Sequence, residues 1–223
     1  MKLTLIRHGM TRGNMLRIYY GSTDLPILPE SYTELEARAK TGFYPTAERY
    51  YTSGMLRAEQ SFRAIYGDTP HSVLYGMREA DFGDFEMRNY AELKDDPAYI
   101  KWISGNNEDN ICPNGESGAQ VTARALEALK PVISEGVDAV VVAHGGVIGG
   151  VLAHFFPNRT ADSPSRRHPV TVIPLNFAAK SLLPFTSFRN GSHAHKSHEC
   201  EAKSAKKTMR DPHSAPVRAA AIQ

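Results

Sequence analysis

The sequence predicts an α/β fold, a three-layer αβα sandwich around a largely parallel central sheet. Three observations carry that reading. Residues 3–6 and 137–143 are almost continuously apolar, the pattern of strands buried on both faces of a parallel sheet. Helix-compatible stretches separate the strand candidates, the alternation that βαβ units produce. Each of these two strands also runs into a histidine beside glycine, "RHG" at 7–9 and "HGG" at 144–146. In open parallel sheets the loops leaving the carboxyl ends of strands build the site.

The remaining elements follow in chain order. Residues 34–40 are helix-compatible, and 49–52 form a second short strand. Residues 56–66 place Ala58, Phe62 and Ile65 on one face, with Gly67 as the stop, so an amphipathic helix is expected. Residues 72–75 give a third strand, and 89–102 a helix that Pro97 breaks. The clearest helix begins at Ser117, which has capping-box spacing to Gln120. Val121, Ala125, Leu126, Leu129, Val132 and Ile133 form its apolar stripe, and Gly136 ends it. After the strand at 137–143, "HGG" reads as a turn and 147–156 as a helix. Residues 170–177 offer one more strand, interrupted by Pro174.

These elements define a catalytic domain over residues 1–177, which matches the pattern poorly after 157. Residues 178–223 form a basic tail whose Ser, Ala, His, Lys and Arg content shows almost no periodicity and reads as disordered. The net charge of +2 hides the asymmetry: residues 1–157 carry 15 Lys and Arg against 20 Asp and Glu, and 158–223 carry 11 against 4. An apolar share of 41% and a charged share of 22% are those of a soluble globular chain. Cys112 and Cys200 make no disulfide framework, which points to a reducing, cytoplasmic setting. The uncharged run at 139–156 is long enough to span a bilayer. Its β-branched first half and central His-Gly-Gly instead favour a buried strand and helix, so no membrane partner is expected.

The two histidine loops carry chemistry together. A neutral, oriented imidazole is a nucleophile that needs no deprotonation. A guanidinium offers forked donors that match phosphate oxygens and stays charged at any working pH. Phosphoryl transfer needs chiefly positioning and charge stabilisation, plus a carboxyl group to protonate the leaving alkoxide. Taken singly, Arg7 and Arg57 read as surface charges and His144 as a satisfied core histidine. Their joint occurrence points to a phosphate site.

Five motifs in order give the chain its resemblance to the histidine phosphatase superfamily, the phosphoglycerate mutase-like fold. "LIRHGMTRGN" resembles the family signature. "YTSGMLRAEQS" at 51–61 resembles its Ser-x-x-x-Arg-Ala-x-Gln-Thr segment, "READFGDFE" at 78–86 its Glu-x-x-Phe-Gly-x-x-Glu segment, "PNGES" its Gly-Glu-Ser, and "VVAHGGVIGG" its second-histidine segment. The resemblance implies that His8 becomes a phosphohistidine that water hydrolyses. It implies that Arg7, Arg57 and His144 hold the phosphoryl oxygens with a hydrogen bond from Asn14. Glu79 would protonate the leaving oxygen and then activate water, with Asp81 as a neighbouring candidate. It implies no metal or other cofactor. Arg12 and Arg17 are expected to make only peripheral contacts, and Glu116 and Ser117 to cap a helix.

The resemblance further implies a metal-independent phosphomonoesterase acting on a small phosphorylated metabolite. A mutase or a non-catalytic phospho-ligand binder are the alternatives. The short stretch between Glu86 and Gly115 favours phosphatase over mutase. Met10 and Met87 stand where the family often has Glu and Gly, and are expected to shape the pocket. The alcohol half of the substrate stays open, as does oligomeric state. The basic tail lacks interleaved aromatics, which argues against nucleic acid. Its cluster "HAHKSHEC" at 193–200 has metal-ligand residue types but reads as composition. Sequence beyond about residue 158 reads as a departure from the ancestral fold, such as a frameshift would give.

Overall fold

The computed structural model describes residues 1–105, 108–157 and 172–176. The basic tail, the 193–200 cluster and the rest of the segment after 157 lie outside the described residues. The strands are β1 (Lys2–Arg7), β2 (Arg49–Thr52), β3 (Ser72–Val73), β4 (Ala139–Ala143) and β5 (Val172–Asn176), in sheet order β3-β2-β4-β1-β5. β1 and β2 flank β4 and run parallel to it, β3 runs parallel to β2, and β5 pairs antiparallel with β1.

Register positions the site. Arg7 pairs with Ala143 and Thr52 with Val142, so three strands end at one edge of the sheet. The residues that follow them are His8, Ser53 and His144. Two further backbone bonds extend the ladder into that edge: His8 N–H donates to the Ala143 carbonyl at 3.0 Å, and Ser53 N–H to that of Val142 at 3.2 Å.

The helices are α1 (Arg12–Leu16), α2 (Pro29–Lys40), α3 (Leu56–Tyr66), α4 (Tyr90–Leu93), α5 (Pro97–Ile103), α6 (Gly118–Glu135) and α7 (Gly145–Phe155). Every residue of β4 is buried, and its side chains alternate between two cores. Val141 joins Leu3, Leu5, Leu129 and Ile148 beneath α6 and α7, while Val140 and Val142 join Ile6, Leu35, Phe62 and Ile65 beneath α2 and α3. Each such aliphatic contributes about 1.5–3 kcal/mol on burial, enough to fix which face it takes. A third cluster of Phe85, Leu93, Tyr99 and Cys112, with Tyr19, Phe82 and Trp102 against it, stands apart from both.

The prolines act as helix starters. Pro29 opens α2 five residues earlier than expected, and Pro97 opens α5 behind the Asp96 cap. α1 is unexpected: Thr11 and Asn14 form a capping box around a five-residue helix. β3 ends at Val73, and β4 begins at Ala139, both shorter than read. Pro174 sits in β5, an edge strand, where a missing N–H is tolerated. The "HGG" segment is no turn, because α7 begins at Gly145 with His144 as its N-cap. The uncharged run at 139–156 is thus β4 and α7, and among the described residues no helix is long and apolar enough to cross a membrane.

Candidate active site

β1 delivers Arg7 and His8 to the sheet edge. His8 is 3% exposed, and its Nδ1 lies 2.7 Å from the Gly9 carbonyl. A carbonyl only accepts, so Nδ1 carries the ring hydrogen and Nε2 keeps its lone pair. Burial, then the Arg57 and Arg7 cations, push the His8 pKa down to about 3 against the opposing Gly9 bond, so the ring is neutral near pH 7. Gly9 is required by space: a Cβ there would lie 2.6 Å from Ser31 Oγ and 2.9 Å from Leu35 Cδ1. Its N–H donates to Ser61 Oγ at 2.8 Å, which locks the backbone beyond the ring.

α3 places Arg57 fully buried against His144. Its Nε donates to His144 Nδ1 at 3.1 Å, Nη1 to the Thr23 carbonyl at 3.1 Å and Nη2 to the Gly21 carbonyl at 2.9 Å. Asp24 Oδ1 stands 3.4 Å from Nη1, and the cation lies 5.0 Å from the centre of the Tyr20 ring. A guanidinium only donates, so His144 Nδ1 accepts and its Nε2–H reaches Ser53 Oγ at 2.7 Å. The two histidines therefore hold opposite tautomers, with ring centroids 5.1 Å apart. Burial first, then His8 and Arg57, hold His144 well below the usual imidazole range.

Glu79 arrives from a loop. Its Oε2 accepts from Gly146 N–H at 3.0 Å, and its Oε1 from Val147 N–H at 3.2 Å and Ala80 N–H at 3.0 Å. Gly146 and Val147 supply donors that the first turn of α7 leaves without partners inside the helix, where its dipole favours an anion. The second glycine of "HGG" is explained here, since a Cβ on Gly146 would lie 2.4 Å from Glu79 Oε1.

Two clamps hold the surrounding loops. Arg124 of α6 donates Nη1 to the Gly76 and Arg78 carbonyls, both at 2.8 Å, and Nη2 to that of Glu79 at 2.9 Å. The same guanidinium pairs Glu116 twice, at 2.7 and 2.8 Å, a bond that holds the Glu116 carboxyl below its ordinary range against burial. Glu86 accepts from the N–H groups of Gly21, Ser22 and Thr23 at 2.7, 3.0 and 3.2 Å. It thereby fixes the turn whose carbonyls hold Arg57. Burial pushes its carboxyl up, but these bonds and that of Phe82 N–H outweigh it and leave the group low.

Arg7, His8, Asn14, Arg57 and Glu79 line one cleft of about 150 Å³, together with Ile18, Tyr19, Tyr20 and Phe82. Asn14 Oδ1 is engaged by Thr11 N–H at 3.0 Å and Thr11 Oγ1–H at 3.1 Å, so its amide NH₂ is the end offered to a ligand. His144 does not line the cleft. It backs His8 and Arg57, with both ring nitrogens engaged. Asp81 is also outside, accepting from Gly83 N–H at 2.9 Å and Ser22 Oγ–H at 3.0 Å. Arg12 and Arg17 are exposed and outside it. Neither Met10 nor Met87 lines it, against expectation. Met87 is exposed at φ 62°, a left-handed backbone that favours the glycine often found there. Cys112 is buried and its thiol pushed up to about 12, chiefly by burial, so it is no nucleophile. Among the described residues no group of three or more His, Cys, Asp or Glu could hold a metal ion.

Ser53, Glu86 and Arg124 escaped the sequence reading as parts of the site. Ser53 opens the Ser-x-x-x-Arg segment and Glu86 closes the Phe-Gly-x-x-Glu segment, so both had a signal. Arg124 is one basic residue on an amphipathic helix and had none.

A largely parallel sheet covered on both faces, with this cleft at its carboxyl edge, defines an α/β enzyme acting on phosphate esters. The chain belongs to the histidine phosphatase superfamily (branch 1), whose family model matches residues 3–177. It is 26% identical over 160 residues to an adenosylcobalamin/alpha-ribazole phosphatase of Salmonella typhimurium, covering 69% of this chain and 78% of that one. A 2,3-bisphosphoglycerate-dependent phosphoglycerate mutase of Rhizobium etli is 25% identical over 160 residues, covering 66% and 76%. Among solved structures, a phosphoserine phosphatase from Entamoeba histolytica in complex with phosphoserine superimposes with a TM-score of 0.60 at 28% identity, covering 70% and 80%.

Proposed function

We propose that residues 1–177 form a phosphomonoesterase that works through a phosphohistidine on His8, acting on a small phosphorylated metabolite in the cytoplasm. The observation that carries this reading is the His8 tautomer. The Gly9 carbonyl takes the Nδ1 hydrogen, and Nε2 is left as a neutral nucleophile in a cleft lined by Arg7, Arg57 and Asn14.

In the first step His8 Nε2 attacks phosphorus, the N–P bond forms as the P–O bond to the alcohol breaks, and Glu79 gives its proton to the departing oxygen. In the second, Glu79 takes a proton from water, the water oxygen attacks phosphorus, and the N–P bond breaks to release inorganic phosphate. Arg7, Arg57 and the Asn14 amide stabilise the charge on the phosphoryl oxygens, each such donor contributing about 10²–10³ in rate. His144 sets the orientation of Arg57, and its own contact with a phosphoryl oxygen requires its Nε2–H to release Ser53. Because His8 stays neutral down to about pH 3, the nucleophile does not set the acid limb of the rate profile.

The test is phosphate release from p-nitrophenyl phosphate together with acid-quench trapping of the phosphoenzyme. His8→Ala is expected to lose roughly 10⁴-fold or more in turnover and all trapped label. Turnover within tenfold of wild type overturns the mechanism. A stable phosphoenzyme with little net phosphate release identifies a mutase instead.

A further inference from the structure

The uncharged part of the cleft lining carries information about the alcohol half of the substrate. Among the described lining residues the cations are Arg7 and Arg57, and both belong to the phosphoryl end. Arg7 packs against Gly145, whose Cβ would lie 3.1 Å from its Cζ, and Arg57 is held by the Gly21 and Thr23 carbonyls. The remaining lining residues are Ile18, Tyr19, Tyr20 and Phe82, which carry no charge, Tyr20 with its ring against the Arg57 cation. Their polar tips are turned to other partners: the Tyr20 hydroxyl shares a hydrogen bond with that of Thr11 at 2.6 Å, and the Tyr19 and Tyr99 hydroxyls share one at 2.7 Å.

This wall is built in advance. Tyr19 N–H donates to the Arg88 carbonyl at 2.8 Å, and its carbonyl accepts from Met87 N–H at 2.7 Å. Its ring meets Phe82 edge-on at 5.4 Å and Trp102 at 5.6 Å, and Phe82 meets Trp102 at 6.0 Å. Such a surface binds without ordering rotamers. The cleft measures about 150 Å³ in all, which the phosphoryl group shares with the part of the alcohol nearest the ester oxygen.

We propose that the Ile18–Tyr19–Tyr20–Phe82 wall selects phosphate esters whose alcohol is uncharged and carries an aromatic ring next to the ester carbon. An acidic alcohol meets no further cation on this wall. The inference rests on the phosphatase reading above.

The test compares esters of alkyl alcohols, so that leaving-group chemistry stays nearly constant: benzyl phosphate, ethyl phosphate, O-phosphoserine and 3-phosphoglycerate, with p-nitrophenyl phosphate as a reference for turnover. For wild type, kcat/KM for benzyl phosphate is expected to exceed that of each other alkyl ester by about tenfold or more, the worth of half-burying one ring. Phe82→Leu keeps apolar volume but loses the ring face. It should lower the benzyl-to-ethyl ratio of kcat/KM at least about threefold, mainly through KM. If Phe82→Leu fails to fold, the wild-type ranking decides alone. Equal rates across the alkyl esters, or preference for phosphoserine or phosphoglycerate, overturn the proposal and leave the phosphatase reading standing. No turnover of any ester, p-nitrophenyl phosphate included, overturns both.

Discussion

On the sheet side of the cleft, His8, Ser53 and His144 each follow directly on a strand whose backbone ladder fixes their position. On the loop side, Glu79 has no strand beneath it and is held by hydrogen bonds from an arginine on α6 and the first turn of α7. The sheet side distributes its restraint over many equivalent backbone bonds, so no single neighbour is indispensable. The loop side concentrates restraint in Arg124, which makes five hydrogen bonds to three carbonyls and one carboxylate. One side loses function when a reacting group is removed, the other when a single support is removed.

The largest test of the contrast is the His8→Ala loss set out above, which removes a reacting group and leaves the ladder. Next comes Arg124→Ala. With the folded state confirmed by thermal melting, kcat should fall about 10²-fold, the scale of an ångström of misplacement, with a smaller change in KM. Arg124→Lys should recover little, because an ammonium has three donors for five bonds. A kcat within threefold of wild type in Arg124→Ala would break the comparison.

Gly146→Ala sharpens it. The added Cβ meets Glu79 Oε1 and displaces the carboxylate, so kcat is expected to drop roughly tenfold. Alanine's better helix propensity, about 1 kcal/mol, offsets the crowding, so the melting temperature should hardly move. Activity lost in proportion to stability would show that the glycine serves only packing.

The last test reads stability in acid, away from the reaction itself. Folded His8 has its pKa at about 3 against 6.5 when unfolded, so below about pH 6.5 the unfolded chain binds protons that the folded ring refuses. Stability therefore declines as pH falls from about 6.5 towards about 3, and His144, also held low, adds in the same direction. Each ring contributes a slope of up to about 1.4 kcal/mol per pH unit. Urea unfolding at several pH values should show His8→Asn flattening that slope by one proton. An unchanged slope would place the acid sensitivity elsewhere.

How legible each part was follows the same division. Residues 3–6 and 137–143 announced buried strands because double burial leaves no room for polar residues, and the histidines at their ends were conspicuous for that reason. The glycines of "HGG" misled, since poor helix propensity suggests a turn. Close approach of Glu79 and Arg7 to the backbone is what those glycines serve, and no single sequence displays a contact with residues so distant. Pro97 misled similarly, because a proline that breaks a helix and one that starts it look alike without knowledge of the cap. Glu79 was legible only through the family motif, and Arg124 not at all: its three carbonyl partners carry no side-chain signature. The opposing tautomers of His8 and His144 arise from partners at Gly9 and Arg57, one local and one remote, and so were beyond any reading of spacing.

The parallel pairing of β1 with β4 also imposes a schedule. In the order of synthesis His8 precedes Ala143, which accepts its N–H, and His144 by more than a hundred residues. Non-local pairings of this kind close late, after the local helices. Until β4 docks between β1 and β2, the imidazole lacks its neighbouring ring and the burial that chiefly keeps it neutral. Chemistry thus switches on only when the centre of the sheet is complete. Nascent or partly unfolded chains would carry the nucleophile without the means to use it.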